Sequence, residues 1–525
     1  MAPCTRRQFV VGGAVAVAAV ALPPAWSAAG LKATNAPAHG WQYESAAAAA
    51  DAIRTKQVSS VELTKLMLGR IEKLNPRINA IVTVTAEQAL RRAAGADAAL
   101  AAGKIWGPLH GVPCTIKDAF ETEGVRTTAG APFLKDYVPR QDAPAVARMR
   151  AAGMVLLGKT NMPLMAGDVQ SYNELFPTAN NPWDFSRTPG GSTGGGAAAT
   201  AAGLGYVTLG SDIGGSIRIP AHFCGLFGHK PTFDVVPVRG HIPPPPGAMI
   251  GPADLGVAGP LARSAADLRL ALGVLGGPDT ENSIAYSWNL PPARKKSIRE
   301  YKLRYVLDHP LCPVTAEVKE RLRAGVDTLR KGGAQLEEGF PDSIDVAGQY
   351  KTYLHLLWKM VPPESLLPGT PKEQIEQLRA LSPAGDDLVL ASAKIAAEDS
   401  HRQWAEANEN RYRIRAAWRR YFHQYDAFLM PTSFVPAFPH DHSPDWFSRV
   451  LSTPEGRRRY TDFLFWSSFA IVSGLPATVA PVGFTKSNLP VGIQILGPWL
   501  EDATPIFVAE ALEPEFGFQV PKGFE

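Results

Sequence analysis

Pro189-Gly190-Gly191-Ser192-Thr193-Gly194-Gly195-Gly196-Ala197 is followed, 24 residues from serine to serine, by Gly210-Ser211-Asp212-Ile213-Gly214-Gly215-Ser216-Ile217-Arg218-Ile219-Pro220-Ala221. These two glycine-flanked serine loops decide the fold, because the Ala-rich helical stretch and short strand between them can return the chain to the same end of a sheet. The glycines give the first loop freedom to approach a ligand and to point N–H groups at an anion. Taken alone, that loop admits three readings. A phosphate-binding loop needs Gly-Lys-Ser/Thr at its end, and here Gly196 runs into alanines. A dinucleotide fingerprint follows a clear strand, whereas Asn180-Asn181-Pro182-Trp183-Asp184 precedes this loop. A Gly-x-Ser-x-Gly nucleophile elbow is satisfied by Gly190-Gly191-Ser192-Thr193-Gly194, but the strand it needs directly before the serine is missing from the Pro-containing stretch 178–187.

Upstream, Gly111-Val112-Pro113-Cys114-Thr115-Ile116-Lys117-Asp118 puts a lysine at the end of an apolar strand. A lone Lys there is ordinarily a solvated terminus. Beside two glycine-flanked serines it also fits the base of a Ser-Lys hydrolase, which requires the ammonium to lose its proton. Other candidates are weaker. His440-Asp441-His442 with Asp445 has metal-ligand residue types but sits in a Pro-rich loop. Phe463, Phe465, Trp466 and Phe469 read either as an aromatic acyl pocket or, at near-helical spacing, as core. Asp168 faces either a substrate entrance or solvent. Pro243 to Pro246 reads as a stiff surface loop.

Outward from the loops, helical and strand-like stretches alternate with no obvious internal repeat. Ser59 with Glu62 forms a capping-box pattern, and Leu63, Met67, Ile71 and Leu74 follow at helical spacing before Asn75-Pro76. An Ala-rich helix covers 88–102, strands are expected at 112–116 and 154–157, and a helix opens at Asp142. Later come a helix from Ser264, a strand at 303–307, a helix over 315–331, a mostly helical stretch over 344–421 that forms a cap or insertion, a strand at 427–430, and a strand-then-helix pair over 491–512. This order argues for an α/β fold with strands buried between helices. No Gly/Ser linker divides it, so one catalytic domain is expected.

The chain has 525 residues, 45% of them hydrophobic and 19% charged, with 53 Lys+Arg against 49 Asp+Glu. Such low charge with so many apolar residues is the opposite of the disordered signature, and a mean hydropathy of −0.07 is too polar for a multi-span membrane protein. No long Lys/Arg block tracks phosphates, so nucleic acid is not an expected partner. Thr5-Arg6-Arg7-Gln8-Phe9 leads into an apolar run to Leu22 and a small-residue exit at Ser27-Ala28-Ala29, the parts of a secretory signal. The paired arginines resemble a twin-arginine export signal, so residues 1–29 are expected to be a signal and 30–525 the exported domain, periplasmic or secreted, an uncleaved tether being the competing reading. Cys4 would leave with the signal, and Cys114, Cys224 and Cys312 have no metal-site spacing and read as small buried hydrophobes.

Taken together, His110-Gly111-Val112-Pro113 through Lys117-Asp118, Gly158-Lys159-Thr160-Asn161, Asn180-Asn181-Pro182-Trp183, the two serine loops, Gly228-His229-Lys230-Pro231-Thr232 and Leu489-Pro490-Val491-Gly492-Ile493-Gln494 closely resemble the amidase signature family of serine hydrolases. The resemblance runs from about residue 45 to about residue 512. Departures are small: Thr193 stands where the family commonly has Ser or Gly, and Gly196 where Ser is frequent. The resemblance implies an α/β/α fold with a large mixed central sheet covered by helices, and a Ser-cisSer-Lys triad of Ser216 as nucleophile, Ser192 as bridging serine after a cis peptide, and Lys117 as base. It also implies an oxyanion hole of the backbone N–H groups of Ile213, Gly214, Gly215 and Ser216, a small-molecule amide substrate, no metal or organic cofactor, and a monomer or homodimer. Read from their positions, Asp212 and Arg218 either brace the nucleophile loop through charge-assisted hydrogen bonds or form an ordinary structural ion pair or cap, and Thr193 either hydrogen-bonds near Ser192 or, the preferred reading, caps the following helix. The expected activity is carboxamide hydrolysis. Ester hydrolysis or acyl transfer by a relative, and a catalytically silent amide-binding protein, are the alternatives. A glutamine amidotransferase subunit shares the fold but works with cytoplasmic partners, at odds with an export signal.

Overall fold

Thirteen strands occur among the residues the computed structural model describes, 40–248, 254–383 and 387–525. In chain order they are β1 (Ile81–Val84), β2 (Pro113–Lys117), β3 (Val155–Thr160), β4 (Val207–Asp212), β5 (Phe227–Lys230), β6 (Val257–Ala262), β7 (Lys302–Tyr305), β8 (Gln335–Glu338), β9 (Ala427–Pro431), β10 (Val450–Thr453), β11 (Gly456–Arg459), β12 (Ala477–Phe484) and β13 (Pro490–Leu496). Eleven form one mixed sheet in the order β1-β3-β2-β4-β6-β5-β12-β13-β9-β7-β8, while β10 and β11 pair as a separate hairpin. Strands β2, β3 and β4 are buried along their whole length. Continuous burial without alternation means that both faces of the sheet are covered there. The edge strands β1 and β8 are the more exposed ones. The expected α/β/α architecture with a large mixed sheet is therefore present, and residues from 40 onward belong to one compact unit.

The helices begin and end where local chemistry allows. Ser59 accepts the Glu62 N–H and Glu62 returns the bond to Ser59 N–H, opening Ser60–Ile78, and its buried Leu63, Met67, Ile71 and Leu74 form one stripe. Ser264 caps Ala265–Leu275. The helix expected to open at Asp142 starts instead at Pro144, whose missing N–H suits the first helical position. Asp142 is drawn away to accept the Glu123 N–H at 2.8 Å and to pair with Arg150 at 3.1 Å. The 344–421 stretch is four helices, Val346–Met360, Pro371–Ala380, Leu388–Glu398 and His401–Tyr421. Cys114, Cys224 and Cys312 are buried and unbridged, as read from sequence. No helix among the described residues is long and apolar enough to cross a membrane. The export signal expected at residues 1–29 lies outside the described residues.

What places the site is the register of β2 against β4. The two run parallel with Thr115 opposite Thr208 and Ile116 opposite Leu209, which carries Lys117 to the level of Gly210 and Ser211. β3 runs parallel to β2 on its other side. Three parallel strands thus end together, and the carboxyl ends of parallel strands are where open α/β sheets bind ligands.

Candidate active site

Lys117 ends β2 fully buried, and its Nζ donates to Ser192 Oγ at 2.6 Å and to Ser211 Oγ at 2.9 Å. Burial lowers its pKa to about 7, and the field of Asp212, which acts in the opposite direction, does not restore it. The chain is locked just beyond it. Lys159 of β3 donates to the Phe120 carbonyl at 2.7 Å and to Thr127 Oγ1 at 2.6 Å and lies 3.6 Å from Asp118, whose carboxylate accepts the Thr128 N–H.

Ser192 is delivered by the first glycine loop. The Gly191–Ser192 peptide is cis, as the family resemblance implied. Gly191 is required by close approach: a Cβ there would lie 2.6 Å from the Asp168 carbonyl oxygen and from the Gln170 nitrogen. The amides that follow are not open to an anion, because Gly194 N–H donates to Ser171 Oγ and Gly195 N–H to the Asn161 carbonyl, each at 3.1 Å. Of the two roles open to Thr193, the preferred cap is absent. Thr193 stands before the Gly194–Ala201 helix but makes no side-chain cap; its Oγ1 instead donates to the Ser211 carbonyl at 3.3 Å and accepts the Ser211 N–H at 3.4 Å. The threonine thus stitches the two serine loops together.

Ser216 comes from the second loop, and Thr193 N–H donates to its carbonyl at 3.2 Å. Among the described residues no hydrogen bond joins the Ser192 and Ser216 hydroxyls, so the structure brings Lys117 and Ser192 into direct contact and seats Ser216 beside them through the backbone. Asp212 and Arg218 are a buried bidentate pair at 3.0 and 2.8 Å, and Arg218 also holds the Ser467 carbonyl and Gln494. Burial works to raise the Asp212 pKa, but Arg218 and the backbone N–H groups of Ile217 and Gly215 outweigh it and hold it at about 2.

The same carboxylate alters the expected oxyanion hole. Gly215 N–H donates to Asp212 Oδ1 at 2.8 Å, so of the four N–H groups expected to hold an oxyanion this one is engaged on the brace. Tyr353, on the helix Val346–Met360, donates its hydroxyl to the Ile213 carbonyl at 3.0 Å. In a trans peptide the N–H opposes the C=O, so this bond turns the Gly214 N–H away from Tyr353.

Ser211 and Tyr353, which touch Lys117 and the nucleophile loop, and His241, whose Nε2 lies 2.8 Å from Ser211 Oγ, were not singled out from sequence. Ser211 stood inside the quoted loop, but strict alternation along β4 assigns Thr208 and Gly210, not Ser211, to the face of Lys117, so the pattern gave no signal that the two side chains meet at the strand ends. His241 and Tyr353 gave no local signal, since each reaches the loop from a distant segment. Asp168 does not face solvent: its carboxylate accepts from Arg449 at 2.6 Å, from Tyr172 at 3.0 Å and from Tyr460. Phe463, Phe465, Trp466 and Phe469 are core, each at most 2% exposed, and it is Leu464 and Tyr353 that approach Gly214. Among the described residues no group of three His, Cys, Asp or Glu could hold a metal ion; Asp441 binds Ser443, Asp445 binds the Phe447 N–H, and His442 stacks on Tyr172 at 3.8 Å.

Comparison with known proteins agrees with this geometry. The amidase family model matches residues 62–505. The chain is 31% identical to a glutamyl-tRNA(Gln) amidotransferase subunit from Roseiflexus sp. (strain RS-1), over 89% of this chain and 95% of that one, and 33% identical to its namesake from Moorella thermoacetica, over 88% and 94%. Among solved structures, a 6-aminohexanoate cyclic dimer hydrolase complexed with substrate aligns with a TM-score of 0.71 at 26% identity, covering 92% of this chain and 100% of that one. A bacterial aryl acylamidase shares the fold, with a TM-score of 0.75 at 23% identity over 92% and 99% of the two chains. With one family model spanning most of its length and the Lys117–Ser192 contact in place, the chain belongs to the amidase signature family, whose members are amidohydrolases.

Proposed function

We propose that the protein hydrolyses a carboxamide to a carboxylate and an amine or ammonia through an acyl-Ser216 intermediate. The observation that carries the reading is Lys117, fully buried, held against Ser192 Oγ at 2.6 Å, with its pKa lowered to about 7. Neutral Lys117 takes the proton of Ser192 as Ser192 takes that of Ser216, and the Ser216 oxygen attacks the amide carbon. The oxyanion that forms is held by the N–H groups of Ile213, Gly214 and Ser216, with Gly215 engaged on Asp212. Each such donor typically contributes about 3–4 kcal/mol to transition-state stabilisation. Protonated Lys117 returns its proton through Ser192 to the leaving nitrogen as the C–N bond breaks. Water then attacks the acyl-serine by the same relay in reverse, releasing the acid.

Leu464, whose Cδ2 lies beside Gly214, supports a substrate with an apolar or aromatic part; the Tyr353 hydroxyl next to it is engaged on the Ile213 carbonyl. The same acyl-enzyme serves ester hydrolysis and acyl transfer. A second reading, release of ammonia from glutamine, is favoured by the relatives named as amidotransferase subunits. Purified protein offered aryl amides, aliphatic amides, esters and glutamine separates these, with Ser216→Ala and Lys117→Ala as controls. Amide turnover surviving in Ser216→Ala would sink the mechanism, and no turnover of anything by the wild type would favour the silent binding protein. The pH sign follows from the base: activity requires the neutral amine, so kcat/KM is expected to fall about tenfold per pH unit below about 7 and to level off above it. Export of the domain through residues 1–29 is part of the proposal. Activity is expected in the fraction released gently from the periplasm and lost from it in Arg6→Lys/Arg7→Lys; wild-type activity confined to the cytosol would refute it.

A further inference from the structure

Ser211 Oγ, the second acceptor of Lys117, lies 2.8 Å from His241 Nε2, and His241 Nδ1 lies 3.0 Å from the Pro243 carbonyl oxygen. The ring packs edge-on against Phe120 at 5.0 Å. A carbonyl only accepts, so the proton of a neutral imidazole sits on Nδ1 and Nε2 carries a lone pair. Nε2 must then accept the Ser211 O–H, and Ser211, having given its only proton, must accept from Lys117.

We infer that His241 is a positioning residue that fixes the direction of the chain Lys117 to Ser211 to His241, so that the lone pair of neutral Lys117 is aimed at Ser192. The inference rests on Lys117 being the base. A neutral amine has two N–H groups and one lone pair. With one N–H committed to Ser211, the lone pair is free for the Ser192 proton. Without an acceptor at 241, Ser211 can donate to Lys117 instead; the lone pair is then spent, and Ser192 receives an N–H in place of giving up its proton. The imidazole stays neutral because burial, and after it the nearby Lys117, push its pKa down to about 4. The charged groups around the chain are Asp212 beside Lys117, and Glu121 and Arg239, which line a small cavity with His241.

The rate at which a fluorophosphonate labels Ser216, followed from pH 5 to 9, tests this without knowledge of the natural substrate. His241→Leu, which keeps bulk but removes the acceptor, is expected to label about tenfold more slowly on the plateau, with the acid limb moved to lower pH, because a Ser211 O–H donated to the amine favours its neutral form. His241→Gln, whose amide oxygen can accept in place of Nε2, is expected to stay within about threefold of wild type. A packing role alone gives the opposite signature: Leu and Gln equally slow, with the limb moved up as water enters. That result, or wild-type behaviour of His241→Leu, would overturn the inference while leaving the hydrolase reading intact. Wild-type protein unlabelled at Ser216, or labelling undiminished in Lys117→Ala, would overturn the hydrolase reading and this inference with it. If His241→Leu fails to fold, the wild-type imidazole nitrogen resonances, assigned by their loss in His241→Gln, decide instead: protonated Nδ1 with bare Nε2 at pH 7 is expected, and the reverse tautomer overturns it.

Discussion

The serine loops of residues 189–218 and the four helices between 346 and 421 are built to opposite rules. Throughout Gly194–Ala201 every residue is buried, the side chains are small, and neighbouring polar groups are paired with other segments of the chain, Gly194 with Ser171 and Thr193 with Ser211. The exposed faces of the helical stretch carry local devices: capping boxes at Thr370/Glu373 and Ser400/Gln403, and ion pairs such as Arg402–Glu406 and Arg413–Glu409. Local devices tolerate replacement because each is worth little and depends on few neighbours. Interlocked glycines do not. The difference teaches where chemistry sits: in the part of the chain where the position of one atom is fixed by several segments at once.

Breaking the first rule should have the largest effect. Gly215 has φ +101°, and a Cβ there would overlap Ser467 Oγ and sit 2.7 Å from Ile219 Cδ1. Gly215→Ala must therefore twist the peptides on either side, including the Gly214 and Ser216 N–H groups. Loss of one such donor typically costs about 10²–10³ in kcat. Steady-state kinetics on protein whose circular dichroism matches the wild type checks this, and kcat within a factor of two or three of wild type would show that the loop is more compliant than its packing implies.

The two regions meet at Tyr353, and its removal sharpens the comparison. The hydroxyl reaches across 140 residues of sequence to the Ile213 carbonyl, so the helix Val346–Met360 orients one amide of the proposed oxyanion hole. Tyr353→Phe removes that bond and little packing. A smaller effect than that of Gly215→Ala is expected, about a tenfold loss in kcat with little change in KM. An unchanged kcat with a raised KM would instead make Tyr353 a substrate contact.

The same contrast explains what could be read from the sequence. The serine loops, Lys117 and the Ser59 capping box announce themselves in consecutive residues, because glycine spacing and helix caps are local chemistry. The Asp212–Arg218 brace was legible for the same reason, its partners being six residues apart. What stayed hidden is whatever depends on convergence: Asp168 finds Arg449 across 281 residues, and His241 reaches Ser211 only after β5 and a loop intervene. Edge strand β1 was hidden differently, since four residues are too few to show a period. Gly215 shows the remaining kind of failure. The loop pattern located the amide, but its partner was decided by a carboxylate three residues before it.

Two threonines carry the comparison to its smallest measurable scale, because both precede helices and only one caps. Thr370 accepts the Glu373 N–H at 3.4 Å and opens Pro371–Ala380 on the exposed side of the molecule. Thr193 has the same position relative to Gly194–Ala201 but spends its hydroxyl on the Ser211 backbone. Thr370→Ala should lower the melting temperature by about 2 °C or less and leave kcat/KM unchanged. Thr193→Val keeps the shape and deletes only the hydroxyl, so its cost should fall on the site. Without that stitch the Ser211 backbone is free to shift, and Ser211 Oγ moves with it relative to Lys117, so kcat is expected to drop by about threefold to tenfold. Were Thr193→Val to lose stability alone and Thr370→Ala to lose activity, helix position rather than contact would govern the two residues, and the division between a local cap and an interlocked core would fail at the point where it is easiest to measure.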